Sequence, residues 1–346
     1  MPLAINFPAW LKPEIIPGLP IRWYGLMYFV AFAVAYLLFK RVAKERKLGW
    51  SDDDVQGIFF WGIVGLLIGA RLFGTLVYDT SGTYWRQPWL IFWPFRGKTF
   101  VGLQGMSFHG GVVGGLAGFL LWCRRHRADA RVVGDLFALS IPLGYTFGRL
   151  GNFINGELWG RVTALPFGMV FPHAPKLPLG EAWVREIAEK AGLETAGLAL
   201  INLPRHPSQL YEALFEGVVL WAILWALRNR KLFRGFMIGA FLVAYGAIRF
   251  VIEYFREPDA DLGYRIMLVE TDIPPALFSS VFNLTTGQLF CLAMILAGAI
   301  WWIIAARLPQ DTPIGPLLPV ASGTTGTGSG TDSGRKNEGR RRSGKK

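Results

Sequence analysis

Arg249, Glu253 and Arg256 stand at i, i+4 and i+7 within an apolar run, so one helical face carries two guanidinium groups and a carboxylate. Earlier in the chain, Arg149 and Asn152 share a face at i, i+3 and close another apolar run in the string GRLGNFINGELWGR, residues 148–161. His109 lies in MSFHGG, Tyr24 in RWYGLMY, and Tyr211 and Glu212 end RHPSQLYE. Guanidinium binds phosphate bidentately and stays charged. A histidine accepts a proton near neutral pH. Tyrosine and asparagine orient an ester or glycerol oxygen by hydrogen bonds. Together these residue types support phosphate recognition coupled to proton transfer.

The elements that must position them are apolar. The chain has 346 residues, of which 52% are hydrophobic, and a mean hydropathy of +0.34. Seven apolar stretches recur, at 21–39, 55–78, 107–123, 132–150, 208–227, 235–255 and 284–306. Each is long enough to cross a hydrocarbon core, which takes roughly 20 helical residues. The expected fold is an all-α polytopic membrane protein of seven transmembrane helices. No basic n-region or small-x-small cleavage site marks a cleavable signal peptide at the N-terminus. Cys123 and Cys291 fall in or beside apolar runs and are expected to be small buried hydrophobes.

A net charge of +12 would suit nucleic acid, but its placement does not. Basic clusters at 40–47, 124–131, 228–234 and 335–346 each follow an odd-numbered apolar stretch. The positive-inside rule then puts the N-terminus outside and the C-terminus in the cytoplasm. The basic face is expected to touch anionic membrane lipids and no nucleic acid. Residues 1–308 read as one transmembrane domain with a small extracytoplasmic cap at 153–207, containing an amphipathic helix near 181–191. The Trp-, Phe- and Pro-rich loop 79–104 suits the aromatic belt at the outer interface. Residues 309–346 turn to Gly, Ser and Thr and then to Arg and Lys, a composition expected to be disordered.

Topology supplies depth. Tyr24, Arg71, His109, Arg149, Asn152, Tyr211, Glu212, Arg249, Glu253 and Arg256 all fall toward the outer leaflet, Arg71 about 24 Å along its span at 1.5 Å per residue. Bland uses compete at each position. Arg249 and Glu253 could form a structural ion pair, Arg71 could snorkel to outer phosphates, and Asp135 could pair with a cytoplasmic arginine. The glycines after His109 favour close helix packing over room for a ligand. A common depth is harder to explain by separate bland uses. The ligand reached there is a phospholipid entering sideways from the bilayer.

No P-loop, HExxH or GxSxG string occurs, which disfavours ATP hydrolysis, zinc proteolysis and a serine-hydrolase elbow. RWYGLMY, GMSFHGG, GRLGNFINGELWGR, RHPSQLYE and YGAIRFVIEYFREPD occur in this order. With these strings the chain resembles the bacterial prolipoprotein diacylglyceryl transferases from Arg22 to about Ala306. The resemblance implies a bacterial inner-membrane enzyme, needing no cofactor, that moves the diacylglyceryl group of phosphatidylglycerol onto the lipobox cysteine of a preprolipoprotein. A thioether forms and glycerol phosphate leaves. It also implies functional roles for Tyr24, His109, Arg149, Asn152, Glu157, Gly160, Arg249 and Glu253. Arg149 and Arg249 would hold the phosphate, with the thiol activated either by His109 as base or by the arginine field. A competing expectation is a phospholipid transporter or scramblase, which would need polar groups continuing toward the inner leaflet.

Overall fold

The computed structural model describes residues 4–16, 18, 22–96, 99–100, 105–230, 232–258, 263–270 and 273–310. Tail residues 311–346, the last four residues of the aromatic loop (101–104), Ile21, Lys231 and Asp259 lie outside them. Every apolar stretch corresponds to a long helix: α1 Trp23–Glu45, α2 Asp52–Leu76, α3 Phe108–His126, α4 Ala130–Ile154, α5 Ser208–Leu227, α6 Phe236–Ile252 and α7 Thr286–Arg307. Four of these, α1, α2, α5 and α7, are long and apolar enough to cross a membrane, and α6 is apolar but shorter. Glycines and charged residues dilute α3 and α4.

Local chemistry starts the helices. Ser51 and Asp54 form a reciprocal capping box before α2, and Thr285 and Gln288 another before α7. Ser107 accepts from the Gly110 N–H at the start of α3, and Asp129 from the Arg131 N–H at the start of α4. Asp135 corrects the sequence expectation. Its Oδ2 accepts from the Gly235 N–H at 2.9 Å and its Oδ1 from the Ile238 N–H at 3.1 Å, so it caps α6 from the neighbouring helix. The orphan amides of a helix N-terminus are a better partner for a buried carboxylate than a solvated arginine.

Three of the basic clusters, at 40–47, 124–131 and 228–234, meet at one end of the bundle. Arg228 reaches Glu45, Arg131 and Arg234 both reach Asp129, and Arg131 Nη2 donates to the Pro309 carbonyl. Successive helices therefore run in alternating directions. Phe39, Ile58, Trp122, Val133, Leu136, Leu139, Leu220 and Leu224 form the buried core nearest that end.

At the α2–α3 seam the backbones touch. A Cβ built at Gly114 would stand 2.7 Å from the Gly69 Cα. Gly111 and Gly115 meet Leu66 at ordinary distances of 3.6 and 3.5 Å. These glycines serve packing. Gly114→Leu should cost about 3 kcal/mol through overpacking. An unfolding midpoint in detergent equal to that of the wild type would refute this.

Helix α5 contains a π-helical segment, Glu212–Val219. Gly217 leaves space for Thr146 of α4, whose Oγ1 donates to the Ala213 carbonyl at 3.2 Å. The wider winding and the inserted hydroxyl together turn both Glu212 and Glu216 into the bundle, where they are buried.

Residues 157–207 pack over the opposite end of the bundle. The amphipathic segment is a helix, Ala182–Lys190, which buries Val184 and Ala188 against Val162, Ile201 and Leu203. Ile5–Asn6 pairs in parallel with Met169–Val170. In the aromatic loop, Trp85, Trp89, Phe92 and Trp93 are exposed.

Candidate active site

A cavity of about 860 Å³ opens between the helices at the end away from the basic clusters. Tyr24, His109, Arg149, Asn152, Arg249, Glu253 and Arg256 all line it. Six of the eight residues singled out by sequence therefore come together from α1, α3, α4, α6 and the turn after α6. Gly151 lets α1 approach α4, since a Cβ there would sit 3.3 Å from both Tyr24 and Met27.

The cavity floor is a charge cluster. Arg149 Nε stands 2.9 Å from Glu212 Oε2 and donates to the Tyr145 hydroxyl at 2.6 Å. Arg249 Nη2 donates to Glu253 Oε2 at 2.8 Å, and its Nη1 meets Glu216 at 3.2 Å and Glu212 at 3.4 Å. Arg256 Nη1 donates to Glu212 Oε1 at 3.2 Å. Thr285 Oγ1 donates to Glu253 Oε1 at 3.1 Å. Three arginines meet three glutamates, so the cluster is formally neutral.

Its geometry is nonetheless polarised. The side chains of Arg149, Arg249 and Arg256 keep 21%, 15% and 20% exposure, whereas Glu212 and Glu216 have none. Guanidinium groups face the cavity and the carboxylates of Glu212 and Glu216 stand behind them. Nη2 of Arg149 and Nη2 of Arg256 have no hydrogen-bond partner among the described residues. An anion in the cavity thus meets N–H donors that are already aimed, with counter-charges that cancel the cost of assembling three cations.

The walls are hydrogen-bonded side chains. Arg149 Nη1 donates to Asn152 Oδ1 at 3.4 Å, and Asn152 Nδ2 to Glu157 Oε1 at 2.9 Å. Glu157 also accepts from Asn155 at 3.3 Å and is not among the cavity-lining residues, so it orients Asn152. His109 Nδ1 is 2.9 Å from the Tyr78 hydroxyl. The Tyr24 hydroxyl is 3.0 Å from that of Tyr28, which also lines the cavity.

Three other expectations need adjustment. Gly160 is not at the cavity surface. Its N–H donates to the His206 carbonyl at 2.8 Å, and a Cβ would stand 2.9 Å from the His206 Cβ. It permits a tight backbone crossing. Arg71 is 3% exposed and neither lines the cavity nor snorkels. Its Nη2 donates to the Leu90 carbonyl at 3.0 Å, its Nε to the Ile91 carbonyl, and its guanidinium lies 5.3 Å from the Tyr84 ring centroid, which ties the aromatic loop to α2. Tyr211 packs on His206 and Phe255 and is also absent from the lining.

Glu216 and Tyr145 escaped sequence reasoning. The available signal was spacing, because Tyr145 precedes Arg149 by four residues and Glu216 follows Glu212 by four.

The turn that carries Glu157 is held from α5: Gln209 Nε2 donates to the Glu157 carbonyl at 2.5 Å and Ser208 Oγ to that of Leu158 at 3.1 Å. Arg161, 2% exposed, donates through Nη1 to Tyr264 Oη and to the Pro275 and Leu277 carbonyls, each at 2.7 Å. Burial, and after it the Arg161 charge, pushes the His206 imidazole down to about 4. Because the folded value lies below the ordinary 6.5, the contribution of neutral His206 is complete above pH 6.5 and is lost as pH falls toward 4. Hydrogen exchange at residues 160–162 should therefore quicken between pH 7 and pH 5 after correction for intrinsic rates. A flat corrected rate would remove His206 as the cause.

The chain as a whole has counterparts among known proteins. A family model described as prolipoprotein diacylglyceryl transferase matches residues 13–304. A Treponema denticola protein named phosphatidylglycerol–prolipoprotein diacylglyceryl transferase is 53% identical over 86% of this chain and 93% of its own length. Proteins with the same name from Chlorobaculum tepidum and Borreliella afzelii are 40% and 38% identical, over 85% and 89% of this chain and 89% and 97% of their own lengths. Matches of this extent cover every helix that contributes to the cavity, and the chain belongs to the prolipoprotein diacylglyceryl transferase family.

Proposed function

We propose that the cavity is where this transferase moves the diacylglyceryl group of phosphatidylglycerol onto the lipobox cysteine of a prolipoprotein. The observation that carries the reading is the row of three guanidinium groups facing a cavity walled by Tyr24, His109 and Asn152. The thiolate sulfur forms a bond to the glyceryl carbon, and the carbon–oxygen bond to phosphate breaks with its electron pair on the oxygen. Glycerol phosphate leaves, and the thiol proton passes to a base. A phosphodiester monoanion becomes a phosphomonoester that carries a second negative charge, so the site must favour charge that develops on the leaving oxygen. Arg149 and Arg249 are assigned that role, Asn152 and Tyr24 orient the glycerol oxygens, and Glu157 and Glu253 hold Asn152 and Arg249 in place.

A free cysteine thiol is only a few per cent ionised at neutral pH, so its activation matters. His109 is assigned as the proton acceptor, since Tyr78 fixes its ring through Nδ1 and leaves Nε2 for the substrate. The arginine row supplies a field that lowers the thiol pKa in the same direction.

In this reading the seven helices all cross the inner membrane of a bacterial cell. The N-terminus and the cap lie outside, and the basic ends face the cytoplasm and its anionic lipids. Residues 1–308 act as one transferase domain. The convergence of the three described basic clusters at the end opposite the cavity supports this orientation. Purified protein incubated with phosphatidylglycerol and a lipobox peptide should increase the peptide mass by one diacylglyceryl group and release glycerol phosphate. No mass gain with folded protein would overturn the transferase reading, and lipid flipping without peptide modification would favour a scramblase.

A further inference from the structure

A second cavity, of about 300 Å³, lies at the basic end of the bundle. Arg46, Arg230, Arg234 and Asp135 line it, with Phe233 and Met237 among its apolar walls. Its charges are unevenly satisfied. Asp135 spends both oxygens on the Gly235 and Ile238 amides. Arg234 is paired with Asp129 at 3.1 Å, and Asp129 is shared with Arg131 at 2.8 Å. The guanidinium groups of Arg46 and Arg230 have no hydrogen bond or ion pair among the described residues. Arg46 is half-buried, and burial lowers its proton affinity while the charge of Asp135 opposes that shift. A half-buried guanidinium without a partner is a costly arrangement unless an anion completes it.

We propose that this cavity is a second binding site, for a phosphate group held between Arg46 and Arg230 against the neutralised end of α6. The volume is at the lower limit of ligand sites and suits one headgroup rather than a whole lipid or nucleotide. Two donors from different helices ends give bidentate recognition, which distinguishes a site from diffuse attraction between a basic face and a membrane. The inference is independent of the transferase chemistry, because none of these residues lines the other cavity.

The test uses the full chain in a nonionic detergent at constant ionic strength. Unfolding midpoints are followed while inorganic phosphate, dihexanoyl phosphatidic acid or dihexanoyl phosphatidylcholine is added to the wild type, Arg230→Gln and Arg46→Gln/Arg230→Gln. Phosphate-bearing anions should raise the wild-type midpoint. Their apparent Kd should rise at least tenfold in the double variant, with peptide modification unchanged. Arg230 is exposed, so the single variant keeps the test valid if the double variant folds poorly. Saturation by inorganic phosphate alone would identify a free anion as the ligand, and saturation only by phosphatidic acid would identify a lipid headgroup. Equal Kd values in wild type and Arg230→Gln, or an equal response to phosphatidylcholine, would overturn the proposal.

Discussion

Arg149→Ala should lower the rate of peptide modification by on the order of a thousandfold, the scale seen when one preorganised donor to a developing anion is removed. Arg149 is the cavity-facing cation with the shortest link to Glu212, at 2.9 Å, and it also positions Asn152. Arg149→Lys should recover little of the loss. An ammonium cannot keep the Tyr145 and Glu212 contacts and still present a planar fork to phosphate. The measurement is peptide mass gain at saturating lipid, beside an unfolding midpoint that shows the fold intact. Activity within tenfold of the wild type would mean that the phosphate is held elsewhere.

Glu212→Ala should act on stability instead. This carboxylate is fully buried and touches Arg149, Arg249 and Arg256 together. Deleting one partner of a buried ionic network leaves uncompensated charge and costs roughly 3–5 kcal/mol. The folded fraction recovered in detergent should drop sharply, and the midpoint should fall further than for Glu216→Ala, which removes the partner of Arg249 and Tyr145 alone. A midpoint that falls no further than that of Glu216→Ala would show that the network does not depend on Glu212.

The helices were legible because their signals are local: long apolar stretches and basic residues at helix ends. The cavity was legible in part for a related reason. The spacing of Arg249, Glu253 and Arg256 puts them on one face whatever that face meets. What they meet is not local. Glu216 sits in the apolar string ALFEGVV, and only the π-helical turn and Thr146, seventy residues earlier, bring it to Arg249. Asp135 and Arg71 were misjudged alike. Both satisfy themselves on backbone groups, the α6 amides and the Leu90 and Ile91 carbonyls, and a backbone partner leaves no mark in residue types. Gly160 has the same character, since its function is to be absent where two backbones cross.

The neutral Arg–Glu cluster also bears on how the protein is made. Its members arrive on different helices: a lone cation on α4, two carboxylates on α5, and the remaining charges on α6 and the turn that follows it. Each unpaired charge at depth opposes insertion by about 2.5–3.5 kcal/mol on translocon scales, so α5 alone is penalised twice. With all seven helices crossing the membrane as proposed, α4 and α5 would settle only once α6 has emerged. A chain ended after Leu227 should leave α5 largely uninserted in a glycosylation-mapping assay, and full insertion there would count against this order of events.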